Sequence, residues 1–145
     1  MAEQSLRLRL ELVTPHGPVF QDDVNMVIIP GVAGELGVLP RHAPIITRLT
    51  IGRLRVLDTD GTWLNFAVAD GFAKVQNDKV IVLADAAEEA GQIDLERAER
   101  QAQRAKERLE MYQQGLVPEG EEVDPYREEL ALRRAKNRLK VMGQA

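Results

Sequence analysis

Glu35 and His42 are the two side chains of the segment GELGVLPRHAP, residues 34–44, that could transfer a proton or bind a metal ion. An acid and an imidazole can work as a general acid–base pair, but no nucleophile and no Gly-rich phosphate loop accompany them. The only other histidine is His16, and zinc needs a closer set of ligands. We therefore predict no catalytic residue and no metal site. The remaining interpretation of the segment is a shaped surface that holds a partner.

A second group with chemical potential is the run RRAKNRLK, residues 133–140, which has five cationic side chains and no acidic one. Arg134 and Arg138 are four residues apart, so on a helix they lie on one side and offer charge-assisted donors to phosphate oxygens. Cations near the end of a helix are also favoured by the helix dipole alone. The spacing leaves three interpretations open: a solvated face, a docking surface for an acidic partner, or a phosphate site.

Length and composition exclude several classes of protein. At 145 residues and 16.2 kDa, the chain has room for one ordinary domain or for a compact domain with an appendage. No apolar stretch approaches the roughly 20 residues of a membrane helix, and MAEQSLRLRLEL lacks the pattern of a signal peptide. The chain has no cysteine for disulfide or thiol chemistry, and its net charge of −4 argues against a general role in coating nucleic acid. These features predict a soluble, cytoplasmic chain.

The charged residues divide the chain into two parts. Residues 1–93 contain 8 basic and 12 acidic side chains, whereas residues 94–145 contain 11 of each. Only two of the seven prolines lie in the second part, and both fall in one gap between charged, alanine-rich stretches. The change occurs near Gly91, so we predict one domain over residues 1–90 and another over residues 91–145.

The first part has the pattern of β-strands. The run LRLRLELV alternates leucine with charged residues, which is typical of a strand with one buried face. The leucines expected on that face are Leu6, Leu8, Leu10 and Leu12. Four more apolar runs follow, NMVIIP, IITRLTIGRLRVLD, TWLNFAVADGFAKVQ and KVIVLAD, and turn-forming residues separate them. Short strands at close spacing predict an antiparallel sandwich or flattened barrel.

The second part has the period of helices. The first helix has Asp94 as its N-cap, and the second begins near Pro125 with Asp124 as its N-cap. The apolar stripe of the first helix is thin and alanine-rich: Leu95, Ala98, Ala102, Ala105, Leu109 and Tyr112. The stripe of the second helix is Leu132, Ala135, Leu139 and Met142. Two helices joined by a short polar loop predict an antiparallel hairpin.

The predicted fold class is therefore α+β, mainly β, with an N-terminal antiparallel β-sandwich followed by a C-terminal hairpin of two helices. A seam of alanines buries little apolar area, which contributes roughly 25 cal/mol per Å². Ordering the helices costs about 1 to 2 kcal/mol per residue. We expect the hairpin to be marginally stable on its own and able to undock, as a switch requires.

Five segments of the chain are VTPHGPVFQDDV, GELGVLPRHAP, ADGFAKV, KVIVLADAAEEAGQID and LALRRAKNRL. In this order they resemble the epsilon subunit of bacterial F-type ATP synthase, which is called delta in mitochondria. The resemblance covers nearly the whole chain, and this family combines an N-terminal β-sandwich with a C-terminal helical hairpin. The sequence departs from the family at Arg41 and Asp70, where the family usually has glycine.

The resemblance implies a non-catalytic subunit of the proton-translocating ATP synthase, peripheral to the cell membrane at its cytoplasmic face. The sandwich would join the gamma stalk to the c-ring, and the hairpin would move between a compact state and an extended state that inhibits ATP hydrolysis by the alpha and beta subunits. Residues 34–44 would be a surface loop at the rotor interface, with Glu35 toward the c-ring and His42 near gamma. The basic run would bind the acidic C-terminal segment of the beta subunits. Its partner-binding residues would include Arg133, Lys136 and Lys140.

Some bacterial members of this family bind ATP without hydrolysing it, through a motif similar to IDLERA, residues 93–98, and arginines of the second helix. Carried over by position, the resemblance implies an ATP site made by Glu88, Asp94, Arg97, Arg104, Arg134 and Arg138. ATP would be a regulatory ligand that stabilises the compact state, and no catalytic cofactor is implied. The other interpretation is structural: Asp94 only caps a helix, and the arginines lie on solvated faces or bind a partner.

Two functions of other classes are the alternatives. A small enzyme would need a catalytic constellation that we cannot assemble from this sequence. A hairpin adaptor or regulator of an unrelated cytoplasmic machine would share the predicted architecture. The link YQQGLVPEGEEVDPYREE is longer than in the shorter members of the family, so it can fold back without strain but could alter the geometry of extension.

Overall fold

The computed structural model of the chain describes residues 6–143. The first part is built from strands, which are β1 Leu8–Thr14, β2 Gly17–Gly31, β3 Gly34–Val38, β4 Ile45–Arg48, β5 Gly52–Asp58, β6 Trp63–Gln76 and β7 Lys79–Glu89. A short 3-10 helix, Ala90–Gln92, leads to the helices α1 Leu95–Gln113 and α2 Pro125–Gly143. This order confirms the predicted fold class, a β-sandwich followed by two helices.

Five of the strands close on themselves. They pair in the order β1, β7, β6, β5 and β2, and β2 pairs again with β1, while β3 and β4 are attached to β2 and β6. Closure pairs strand edges that would otherwise present free backbone groups. One pair of strands departs from the predicted antiparallel arrangement: β1 and β7 run parallel, with Leu10 beside Val80. One edge of β1 is already paired with β2. The last strand, β7, pairs with the other edge of β1 and runs in the same direction as β1.

The core of the sandwich is formed by the inward residues of this closed sheet. The leucines of β1 have no exposed surface, as their alternation predicts. Leu6 precedes β1 and is 48% exposed, so its predicted burial is wrong. Phe66 is the largest fully buried side chain, and its ring meets that of Phe20 edge to face at 5.6 Å between centroids.

Two predicted turns have the expected chemistry. Asn77 and Asp78, between β6 and β7, both have positive φ, 53° and 60°, which matches the twist of the flanking strands. Between β5 and β6, Asp60 Oδ1 accepts a hydrogen bond from the N–H of Thr62. This bond stabilises the carboxylate and holds the pKa of Asp60 below its usual value.

Strand β6 bends at Asp70 and Gly71, whose φ angles are 58° and 111°. The part before the bend pairs with β5, and the part after it pairs with β4. A Cβ at Gly71 would overlap the carbonyl oxygen of Leu83, so no side chain fits there. Asp70 and Arg41, the two positions where the resemblance leads us to expect glycine, both have left-handed backbones. The family's glycines are therefore explained by conformation, which Asp tolerates better than most residues.

The two helices form the predicted antiparallel hairpin. Gln101, in the first half of α1, contacts Arg138 of α2, whereas Arg108, further along α1, contacts Glu128 near the start of α2. Arg108 Nε lies 2.7 Å from Glu128 Oε1, and its Nη2 donates a hydrogen bond to the carbonyl oxygen of Glu122 in the link. This pair ties the link end of the hairpin together.

Both predicted N-caps are confirmed. Asp94 Oδ1 accepts a hydrogen bond from the Arg97 N–H at 3.0 Å. Asp124 Oδ1 accepts hydrogen bonds from the N–H groups of Tyr126 and Arg127. Each carboxylate therefore satisfies backbone donors that would be unpaired in the first turn of its helix.

The apolar seam of the hairpin is narrower than predicted. Its buried members are Ala98, Ala105 and Ala135. Leu95 and Tyr112, at the two ends of the predicted stripe of α1, are 43% and 49% exposed, so their assignment to the seam is wrong. Val141, which the predicted stripe of α2 omits, is fully buried because it packs on the sandwich rather than on α1.

The hairpin contacts the sandwich through a small apolar cluster. Its buried members are Ala67, Ala90, Ile93 and Val141. Seventeen buried apolar residues form the core of the sandwich, so the docking cluster is much the smaller of the two. Within residues 6–143, no helix has the length and apolar character needed to cross a membrane.

Candidate functional site

A first cavity, of about 210 Å³, lies where the end of β7, the start of α1 and the middle of α2 meet. Its lining includes four of the six residues predicted for ATP, which are Glu88, Asp94, Arg97 and Arg138. These residues come from three elements that meet only when the hairpin is docked on the sandwich. The cavity is therefore a feature of the compact arrangement.

A second cavity, of about 300 Å³, lies between α1 and α2. Arg104 and Arg134, the other two predicted residues, line it together with Arg138 and Gln101. Arg138 and Gln101 border both cavities, so the two cavities adjoin. We call the two together the arginine site. The structure brings all six predicted residues to this site.

The arginine site has more cationic than anionic groups. Arg138 Nε lies 2.9 Å from Glu88 Oε1, and Arg138 Nη1 donates a hydrogen bond to Gln101 Oε1 at 2.6 Å. The guanidinium groups of Arg97 and Arg104 have no hydrogen bond or ion pair with any other residue in the described part of the chain. Two guanidinium groups are thus available, and the local excess of positive charge favours an anionic ligand.

Arg134 is held at the edge of the arginine site with one donor unused. Its Nη2 donates a hydrogen bond to Asp70 Oδ2 at 2.6 Å. Its Nε is buried and has no acceptor among residues 6–143. A buried guanidinium N–H without an acceptor is unusual, and among residues 6–143 the N–H of Arg55 Nε is in the same state.

Asp94 has the structural role that the alternative interpretation assigns to it. Its Oδ1 caps α1 through the N–H of Arg97. Its side chain also lines the first cavity. A carboxylate has two oxygens and about four lone-pair sites, so one carboxylate can cap a helix and also accept a hydrogen bond from a ligand.

Three residues of this region were not predicted from the sequence. Gln101 could have been found, because it lies four residues after Arg97 and therefore on the same face of α1. Asp70 is 64 residues from its partner Arg134, and no local pattern connects the two. Asn137 also belongs to a contact between distant parts of the chain.

Asn137 fixes α2 against the sandwich. Its Nδ2 donates hydrogen bonds to the carbonyl oxygens of Gly52 at 2.9 Å and Val68 at 3.5 Å. These carbonyls belong to paired residues of β5 and β6, so one amide connects α2 to two strands. The contact sets where α2 rests along the sandwich.

Replacement of Asn137 by alanine is expected to speed amide hydrogen exchange in α2 by about fivefold, because a net hydrogen bond contributes about 1 kcal/mol. Exchange measured by mass spectrometry in the absence of nucleotide tests this. Lys136→Ala, at an exposed neighbouring position, is the control and should leave the rates unchanged. Equal rates in the wild type and Asn137→Ala would show that the amide does not hold α2.

The segment 34–44 is not the continuous loop that was predicted. Gly34–Val38 is strand β3, which pairs with β2, and only residues 39–44 form a connection without regular structure. The strand forms because Leu36 and Val38 alternate and pack toward the core, a pattern that the two glycines obscured in the sequence.

The two titratable residues of this segment have separate partners. Glu35 Oε2 accepts a hydrogen bond from Arg55 Nη2 at 3.0 Å. His42 Nδ1 donates a hydrogen bond to the carbonyl oxygen of Ala43 at 2.6 Å. Among residues 6–143, no three His, Cys, Asp or Glu side chains are grouped as a metal site would require.

The remaining residues predicted to bind a partner lie on the surface of α2. Arg133, Lys136 and Lys140 are exposed. Within the described chain they have no hydrogen bond or ion pair through their side chains. They lie on a different side of α2 from Arg134 and Arg138, whose charges are paired with Asp70 and Glu88. One side of α2 therefore has paired cations, and the other has exposed cations without a partner in the described chain.

Comparison with known families matches both parts of the chain. Residues 7–90 match the family described as ATP synthase, Delta/Epsilon chain, beta-sandwich domain. Residues 92–143 match the family described as ATP synthase, Delta/Epsilon chain, long alpha-helix domain. The two matches cover nearly all of the described residues.

Individual relatives give the same result. The ATP synthase epsilon chain of Desulforamulus reducens is 46% identical, over 91% of this chain and 94% of the relative. That of Halalkalibacterium halodurans is also 46% identical, over 94% of this chain and 97% of the relative. A chain in the cryo-EM structure of Euglena gracilis mitochondrial ATP synthase has a TM-score of 0.73 at 22% identity, covering 91% of this chain and 79% of that chain, which shows a shared fold.

Proposed function

The chain belongs to the delta/epsilon chain family of ATP synthase, and from this premise we propose that its helical hairpin is a mobile regulator that senses ATP and restrains ATP hydrolysis. Family membership makes it a non-catalytic, epsilon-type subunit of F-type ATP synthase, with a part in ATP synthesis and ion transport. It also excludes the two alternatives, a small enzyme and an adaptor of an unrelated machine. In the proposal, residues 1–90 attach to the rotor and residues 91–145 form the regulatory domain.

The observation that carries the proposal is the way α2 rests on the sandwich. Among residues 6–143, the apolar cluster that joins the hairpin to the sandwich has four buried members, with the partly buried Met142 packed on it. Polar contacts by Arg134, Asn137 and Arg138 add to this cluster. Partly exposed ion pairs contribute about 1 kcal/mol or less. Such an interface can open without unfolding the sandwich, whose core is separate. That is the physical requirement for a hairpin that changes between two states.

The arginine site supports ATP as the ligand that controls this change. Among residues 6–143, the guanidinium groups of Arg97 and Arg104 have no partner, and Arg134 lines the same cavity as Arg104. A triphosphate supplies several oxygens, and charge-assisted hydrogen bonds to arginine are among the strongest in proteins. Glu88 and Asp94 at the first cavity offer acceptors for the amino group of adenine or the hydroxyls of ribose.

ATP at this site would stabilise only the compact state, because the site is assembled from β7, α1 and α2 together. A ligand that binds one state shifts the equilibrium by RT ln(1 + [L]/Kd). Abundant ATP would therefore keep the hairpin folded. When ATP falls, the hairpin would extend and present its basic run, with Arg133, Lys136 and Lys140, to the acidic segment of the beta subunits, which blocks hydrolysis.

Attachment to the rotor is proposed for the surface of the sandwich beside β4. Ile46, Phe72 and Leu83 are 69%, 53% and 54% exposed, and strand register places them on one face of neighbouring strands. Exposed apolar patches of this kind mark protein interfaces. The loop 39–44 with His42 leads into β4, and Glu35 lies on β3. We propose that this region contacts gamma and the c-ring, which places the chain at the cytoplasmic face of the cell membrane.

Calorimetric titration of the purified chain with ATP and with GTP tests the nucleotide proposal. We expect ATP to bind in preference to GTP, and Arg134→Ala to weaken ATP binding by about tenfold, because a hydrogen bond to a charged group contributes about 1.5 to 3 kcal/mol. Arg127→Ala is the matched control: it removes an exposed arginine of α2 that lines neither cavity.

Loss of affinity in Arg134→Ala with unchanged affinity in Arg127→Ala would make Arg134 part of the nucleotide site. Absence of wild-type binding at millimolar ATP would reject ATP sensing. The arginines would then be assigned to partner docking, and the hairpin would respond to a signal other than ATP.

A further inference from the structure

Asp70 and Arg134 form an ion pair between the sandwich and the hairpin. Arg134 Nη2 and Asp70 Oδ2 are 2.6 Å apart, and the two side chains are 39% and 37% exposed, in that order. Asp70 belongs to β6 in the sandwich, and Arg134 belongs to α2 in the hairpin. The pair is therefore a direct charged connection across the interface that must open when the hairpin moves.

Asp70 occupies a backbone conformation that is unfavourable for most residues. Its φ is 58°, in the left-handed region, and it lies within a strand at the bend next to Gly71. A residue with a side chain costs free energy in this conformation, although Asp and Asn tolerate it better than others. The bend turns the carboxylate toward α2, where it meets Arg134. Strained residues are retained where the surrounding contacts compensate for them.

Arg134 is at the same time a wall of the second cavity, opposite Arg104 and beside Arg138. The N–H of Arg134 Nη2 that donates to Asp70 cannot also donate at full strength to a phosphate. A phosphate at Arg134 would also lie close to a carboxylate of the same sign, which disfavours its binding. Asp70 and a phosphate would therefore share one guanidinium group, and the carboxylate would weaken the bond to the phosphate.

We infer that Asp70 is an internal counter-ion of Arg134, which holds α2 to the sandwich and weakens the binding of a ligand phosphate to Arg134. The inference rests on the proposed ATP site and adds to it a residue that sets its affinity. Asp70 lowers the affinity for ATP because its negative charge partly neutralises Arg134 and repels a nearby phosphate. It also adds to the contacts that hold the hairpin in the compact state, so it opposes extension when ATP falls. The ATP concentration at which the hairpin responds depends on this carboxylate.

Asp70→Asn is the sharpest test, because Asn accepts the left-handed backbone, has nearly the same size, and lacks the charge. We expect its ATP dissociation constant, measured by calorimetry, to fall about two- to fivefold, the range for a partly exposed ion pair. Without nucleotide, amide exchange in α2 should accelerate by a similar factor, since the ion pair that holds α2 to the sandwich is weakened. Glu129→Gln, at an exposed site of α2 with no partner among residues 6–143, removes the same charge and should change neither quantity.

A double variant establishes whether Asp70 acts through Arg134. In the Arg134→Ala background, Asp70→Asn should no longer tighten ATP binding, because its partner is absent. An equal gain in both backgrounds would overturn the inference and assign the effect to general charge. Unchanged or weaker ATP binding by Asp70→Asn, while the wild type binds, would overturn the inference but leave the ATP site in place. Failure of the wild type to bind ATP would reject both the ATP site and the inference about Asp70. Unchanged amide exchange in α2 would show that Asp70 does not hold α2 to the sandwich.

Discussion

Replacement of Gly71 by alanine is expected to lower the free energy of unfolding of the sandwich by about 4 kcal/mol or more, which is exceptional for one substitution. The new Cβ would overlap the carbonyl oxygen of Leu83 and would lie 2.9 Å from the Cα of Ala84. Both atoms belong to the backbone of β7, so no side-chain rotation relieves the clash. The φ of 111° adds conformational strain. Urea unfolding followed by the fluorescence of Trp63, the only tryptophan, measures the loss.

Substitutions at two other glycines distinguish the effect of the steric clash from the effect of the backbone strain. Gly61 has a φ of 87°, but no atom lies within 4 Å of the point that a Cβ would occupy there, so Gly61→Ala should cost only about 1 to 2 kcal/mol. Gly91 has neither a positive φ nor a close neighbour, and Gly91→Ala should be nearly neutral. If Gly71→Ala loses no more stability than Gly61→Ala, then the backbones of β6 and β7 do not approach as closely at Gly71 as described.

Replacement of Arg138 by alanine is expected to weaken ATP binding by about a hundredfold, or about 2.7 kcal/mol. Arg138 borders both cavities of the arginine site, so its loss removes the cation that they share. The substitution also leaves Glu88 without the partner that neutralises it, and an unpaired carboxylate repels phosphate. The effect should exceed that of Arg134→Ala, because Arg134 lines only the second of the two cavities. Calorimetric titration with ATP measures the difference.

Arg138→Lys distinguishes charge from geometry. Lysine keeps the positive charge but lacks the planar fork of donors, so it should recover only part of the affinity. Amide exchange in α2 without nucleotide reports how far the lost contacts with Glu88 and Gln101 loosen the hairpin, independently of ATP. Wild-type affinity in Arg138→Ala would show that ATP binds elsewhere than in the arginine site.

Much of the fold could be predicted because the responsible interactions are local. The leucines of β1 are buried because alternate residues of a strand face one side. Asp94 and Asp124 cap the helices because a carboxylate just before a helix accepts hydrogen bonds from its first N–H groups. Asn77 and Asp78 form a turn because these residue types tolerate positive φ. Each of these features depends on neighbours within a few residues.

The differences from the predictions concern contacts between distant residues. The parallel pairing of β1 with β7 depends on the path of the chain around the sandwich, which no residue pattern reveals. Residues 34–38 form a strand because β2 offers them an edge, although their glycines indicated a loop. Leu95 and Tyr112 have helical spacing with the seam, but at the two ends of α1 both side chains are exposed.

For the candidate site, the sequence alone determined which residues have suitable chemistry and, through resemblance, which six belong together. Helical spacing is a property of the chain itself, so Arg134 and Arg138 could be grouped without coordinates, whereas Glu88 and Asp94 entered the site only through the resemblance. The tertiary structure alone decided that these residues surround two adjoining cavities, and that Asp70 is bonded to Arg134. The physical reason is that packing between the hairpin and the sandwich joins residues 64 positions apart, and such a distance in sequence leaves no local pattern.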